Sequence, residues 1–180
     1  STLLLLIAMA FVLVLFGRPF QQLLPVFQVD VFHVGPTALG IMFTAVGVGA
    51  VFGSLAAIWV AESPNRRMLQ LAAGVAVGVA LMLFAFSPSF YLALFFLAIV
   101  GFMTDCYFTI NRILVMEEAE KAYYGRVLSI YMMTWSLMPL SLVPMGIMID
   151  HVGAPITIGL AGLLLATIIT SITIFNPNMR

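Results

Sequence analysis

Charge is what this sequence has least of. Asp, Glu, Lys and Arg make up 8% of its 180 residues, 63% are hydrophobic, and the mean hydropathy is +1.18. A water-soluble domain carries about 25% charged residues, so these few could not cover a water-facing surface. The seven basic and seven acidic residues cancel, which gives no footing for nucleic acid or an acidic polymer as partner. Cysteine is nearly absent too. Cys106 stands alone in an apolar run, which excludes an internal disulfide and says nothing of redox compartment. The apolar opening at 2–16 lacks a basic n-region and a small-residue cleavage site, so it does not read as a signal peptide. The sequence opens at Ser1 rather than Met, as expected of a processed, truncated or excised segment.

Enzyme motifs are missing as well. There is no nucleophile elbow, no H-E-x-x-H and no P-loop, so no catalytic residue is assigned. His33 and His151 lie in or beside loops without ligand-spaced companions, so neither a metal nor a cofactor is expected. No helix bears the repeated arginines of a voltage sensor.

Long apolar runs are what the sequence does have. A helix needs about 20 mostly apolar residues to cross the hydrocarbon core, and six stretches qualify, at about 3–27, 37–60, 68–86, 90–116, 127–149 and 155–175. Strand-like alternation is absent, and runs this long exclude a membrane barrel. The connections are short, with turn formers at 62–65 and 87–89. The reading is an all-α integral membrane protein, one bundle of six transmembrane helices over 1–180. Arg66, Arg67, Lys121, Arg126 and Arg180 all fall on one side of the membrane. The excess of basic residues in cytoplasmic loops then puts both termini in the cytoplasm.

Small residues recur at helical spacing: Gly49, Gly53 and Ala57 in the second helix, Gly74 and Gly78 in the third, Gly159, Gly162 and Ala166 in the sixth. Such stripes let helix backbones approach closely in lipid. Pro139 and Pro144 fall inside the fifth helix, where each removes a backbone hydrogen bond and favours a kink.

Charge inside a membrane is costly and marks function by default. Asp105, Thr109 and Arg112 share one face of the fourth helix, with Asn111 on a neighbouring face. Asp105 and Arg112 stand about 10 Å apart along the axis, too far for a contact pair, so each is expected to meet another helix. Two readings stand. The face lines a watery path with Asp105 as a proton-titrating or cation-sensing carboxylate; or Asp105 makes a structural interhelical bond while Arg112 snorkels to the headgroups. Arg18, Gln21, Gln22 and Pro25 form a polar stripe in the outer third of the first helix, and Arg18-Pro19 also reads as a break. Trp135, Ser129, Ser136 and five methionines give the fifth helix some polar and adaptable character. Glu117 and Lys121 are spaced for an ordinary i,i+4 pair.

Three stretches resemble the C-terminal six-helix half of a major facilitator superfamily transporter of the bacterial efflux type. The run LLPVF at 23–27, followed by Gly40 and GVGAVFGS at 47–54, is similar to the seventh and eighth helices of such exporters. YGRVLSI at 124–130 is similar to the R-G-R-V-x-S-I signature that opens the eleventh, with Tyr124 in place of the first arginine. The stretch from Pro139 through Gly146, Asp150 and Gly153 is similar to the ending of that helix, with Ser141 where glycine is frequent. The loop motif G-x-x-x-D-R-x-G-R-R survives only as ESPNRR at 62–67.

The resemblance implies half of a twelve-helix fold, built from two inverted three-helix repeats at about 1–86 and 87–180. A second six-helix half, upstream in the same chain or in a homodimer, would complete it. The implied function is proton-coupled efflux of a small amphipathic compound by alternating access in the cytoplasmic (inner) membrane. Arg18, Gln21, Gln22, Asp105, Thr109, Asn111, Arg112 and Trp135 become candidates for the substrate or proton path. Arg66, Arg67, Gly125 and Arg126 would act at the cytoplasmic gate, and Gly146, Asp150 and Gly153 form the helix-end motif. The competing readings are an importer or facilitator of the same fold, a non-transporting membrane scaffold, and an enzyme acting on lipid-phase substrates.

Overall fold

A computed structural model describes residues 2–175; Arg180, used above for orientation, lies outside them. The described residues form six apolar helical spans and no strand. Two spans are interrupted. The first, Thr2–Val31, comprises α1 (Thr2–Gly17), α2 (Phe20–Val26) and a wide-turn π segment, Phe27–Val31. The second is α3 (Pro36–Ala61), the third α4 (Arg66–Ala85) and the fourth α5 (Phe90–Glu118). The fifth, Lys121–Val152, has one 3-10 turn, then α6 (Tyr124–Ser136) and α7 (Pro139–Val152). The sixth is α8 (Ala154–Phe175).

Local chemistry sets these boundaries. Pro36 opens α3, where its missing N–H has no partner to lose. Ser89 caps α5, its hydroxyl accepting from the Leu92 amide at 3.3 Å. Pro19 lies within one break and Pro139 follows another, so neither the first nor the fifth span is one continuous helix. Pro144 is carried inside α7 without ending it. Gly153 closes α7 at φ 85°, a left-handed geometry that glycine adopts without strain.

Packing follows the small residues. In lipid no hydrophobic force drives one helix onto another, so close van der Waals fit has to hold them. A Cβ at Gly49 would collide with the Ala98 carbonyl, one at Gly53 with that of Phe102, and one at Gly101 with that of Val46. So α3 and α5 touch backbone to backbone. Gly78 and Gly162 bring α4 and α8 together in the same way. Gly40 and Gly47, also on α3, have nothing against them. The outer faces stay apolar, with Trp59 and Tyr91 82% and 83% exposed near opposite ends of their spans. Amphipathic rings at those levels suit the headgroup region.

One expectation fails here. Glu117 does not pair with Lys121, because α5 ends at Glu118 and Lys121 starts a separate 3-10 turn. With the helix over, the i,i+4 geometry no longer exists, and Glu117 reaches Arg66 instead.

Candidate functional site

The two interrupted spans meet the charged face of α5. Arg18 stands in the break between α1 and α2, and Trp135 lies at the end of α6, just before the break to α7. Asp105, Phe108, Thr109 and Arg112 recur along α5 at i, i+3, i+4 and i+7, one continuous face. The Arg18 guanidinium sits 4.8 Å from the centre of the Trp135 ring and 5.2 Å from that of Phe108. Those two rings are themselves 5.2 Å apart. Both distances are within the range of a cation–π attraction. Asp105 approaches the same guanidinium at 3.8 Å, close enough for charge pairing and too long for a hydrogen bond. Side-chain exposure is 15% for Arg18 and 33% for Asp105, so both remain within reach of a cavity.

That cavity measures about 340 Å³. Arg18, Asp105, Phe108 and Trp135 form part of its wall, and Thr109, Arg112, Tyr131 and Met132 complete it. Five of the expected path residues are therefore assembled: Arg18, Asp105, Thr109, Arg112 and Trp135. Phe108 and Tyr131 join them unforeseen. Their signals were present in the sequence, since Phe108 lies one turn from Asp105 and Tyr131 one turn before Trp135.

Three others lie elsewhere. Gln21 and Gln22 are not among the residues that line this cavity. Asn111 is fully buried and donates to the Leu6 carbonyl of α1 at 3.1 Å, which makes it a helix-to-helix tie. Among the described residues its Oδ1 finds no partner, and neither do the buried polar ends of Gln70, Thr104 and Tyr107 on α4 and α5. Gln70 and Tyr107 face each other without completing a hydrogen bond.

At one end of the bundle, Arg66 donates to Glu117 at 2.8 Å and Arg67 to Glu118. These arginines open α4 and these glutamates close α5, so each charge sits at the unfavourable end of its helix dipole. Cross-helix pairing relieves both at once. Arg126 lies over the Tyr123 ring at 5.7 Å, and Gly125 faces an open groove with Ser129 and Ser136. At the other end, Asp150 is exposed, Gly146 has open space around it, and Gly153 forms the single-residue link from α7 to α8. His33 and His151 each hydrogen-bond a carbonyl four residues back.

The six apolar spans agree with what comparison finds. Residues 1–143 match the sequence profile described as Major Facilitator Superfamily. The chain belongs to the major facilitator superfamily. It is thus a multi-pass membrane protein of a transporter family, not an enzyme. Among its relatives is the multidrug efflux pump Tap of Mycolicibacterium fortuitum, 30% identical over 146 residues. The match covers 81% of this chain and 36% of that pump, so the chain spans about a third of its relative's length. No solved structure matches the chain.

Proposed function

We propose that this chain is the C-terminal six-helix half of a secondary active transporter that exports a small amphipathic compound in exchange for protons. A second six-helix bundle, upstream in the same polypeptide or from a second copy, faces the cavity and completes the substrate site. Within the chain, residues 1–86 and 87–180 act as two inverted repeats, and both ends face the cytoplasm of a bacterial inner membrane.

One observation carries the reading: a carboxylate and a guanidinium, loosely paired at 3.8 Å, meet where two spans are broken. A proton on Asp105 would cancel its attraction for Arg18 and leave the aromatic contacts to hold the guanidinium alone. Substrate arrival and proton release then act on the same few ångströms of structure, which is what antiport demands. Membership of a transporter family and likeness to a multidrug efflux pump support the direction.

The test is gradient-driven accumulation of fluorescent amphiphiles, anionic, neutral and cationic, in inside-out vesicles containing the full-length protein. Asp105→Asn is expected to insert normally and lose accumulation driven by a pH gradient. Undiminished accumulation in that variant would remove Asp105 from the mechanism. If the unmodified protein moves none of the three charge classes, the export reading fails.

A further inference from the structure

The charges in the cavity are not matched in space. Asp105 is taken by Arg18. Arg112 lines the same cavity, exposed, and makes neither an ion pair nor a hydrogen bond among the described residues. A guanidinium is costly to hold inside a membrane span and does not shed its proton to escape that cost. Two hydroxyls accompany it. Thr109 stands one turn away on the same face. Helical hydroxyls elsewhere in the chain, such as Thr134, Thr157 and Thr170, donate to a carbonyl of the preceding turn. Thr109 makes no such bond and lines the cavity instead. Tyr131 lies within electrostatic reach of both Arg18 and Arg112, and its hydroxyl likewise makes no hydrogen bond among the described residues.

From this we infer that Thr109, Arg112 and Tyr131 form a subsite for an anionic group, a carboxylate or phosphate, so that the cargo is an amphipathic molecule with an anionic end. The inference rests on the transporter reading and narrows its substrate class. Charge decides the sign. Two guanidinium groups face one carboxylate, so a cationic guest would add a third positive charge, whereas an anion neutralises the excess. Chemistry decides the type, since a guanidinium fork and two hydroxyls are hydrogen-bond donors suited to a planar or tetrahedral oxyanion. The apolar remainder of the guest has Met132 and Trp135 to lie against. The Arg18 guanidinium, 3.8 Å from Asp105, offsets the carboxylate's repulsion of an anion. The same chemistry has two sources, a soluble cargo and a lipid headgroup.

Equilibrium binding to the full-length protein in nanodiscs, without a gradient, tests this separately from proton coupling. Three radiolabelled probes share one ring system: 1-naphthoate, the neutral 1-naphthamide, and the cationic 1-naphthylmethylammonium. Naphthoate is expected to bind about tenfold tighter than naphthamide, the worth of one charge-assisted pairing, and the cation weakest. With an unchanged thermal unfolding midpoint certifying the fold, Arg112→Gln should erase the preference by weakening naphthoate far more than naphthamide. Arg112→Lys should restore much of it, and Thr109→Val should cost naphthoate about threefold. Competition by phosphatidylglycerol, absent with phosphatidylcholine, supports the subsite with a lipid headgroup as its occupant; no competition supports it with a soluble cargo. Equal affinity for the three probes, preference for the cation, or an Arg112→Gln loss shared equally by all three overturns the inference.

Discussion

The second and fourth spans are joined differently from the fifth and its neighbours. Along α3 and α5, glycines on both sides put backbone against backbone, and α4 and α8 repeat the device. The fifth span has glycines too, but Gly125 and Gly146 touch nothing. Half of the apolar window in the fourth span is buried and 56% of that in the third, against 17% in the fifth. The lesson is that a small residue in a membrane helix holds a contact only where a neighbouring element comes to meet it. The fifth span, which also carries Tyr131 and Trp135 to the cavity, is the loosely held part of the bundle.

The comparison breaks or sharpens most readily at the glycines. Gly53→Val should destabilise the protein by about 3 kcal/mol or more, because the obstructing atoms are backbone and have no rotamer to give way. Gly146→Ala should leave stability unchanged or raise it by up to about 1 kcal/mol, through helix propensity alone. Equal destabilisation by the two, in reversible unfolding from detergent micelles, would end the distinction. Amide hydrogen exchange is the next probe: α6 and α7 should exchange about tenfold faster than α4 and α5. Uniform protection across the six spans would mean that the fifth is as firmly held as the rest. A small loss is expected at the bundle's end, where Glu117→Gln should cost at most about 1 kcal/mol, since both partners are partly exposed. A larger loss there would make the Arg66 pairing a lock between α4 and α5 that ranks with the glycine contacts joining α3 to α5 and α4 to α8.

Much of the fold was legible because its determinants are local. Apolar length gives six spans, Pro19 and Pro139 give the breaks, and small-residue spacing gives the faces on which α3, α4 and α8 pack. The site was legible in part. A helical face is a property of neighbouring residues, so Asp105, Thr109 and Arg112 could be grouped from α5 alone. Their partners could not. Arg18 is 87 positions from Asp105, and nothing in the periodicity of either helix says that they face each other. Asn111 shows the limit in the other direction. One position on the helix turns it from the cavity to the Leu6 carbonyl, although its chemistry suits either place. Glu117 and Lys121 were misjudged because their pairing assumed a helix that stops one residue beyond Glu117.

Gly153 has a mechanical consequence. One residue joins α7 to α8, and α8 is fastened to α4 along its backbone. The fifth span is therefore pinned at one end and slack at the other, like an oar in its lock. At 32 residues and the 1.5 Å rise of an α-helix, it reaches at most about 48 Å across its break. Swinging it through about 10° would move the Lys121 end by about 8 Å and barely disturb Gly153. Trp135 lies near the middle of that stroke and would travel about half as far, enough to part its ring from the Arg18 guanidinium.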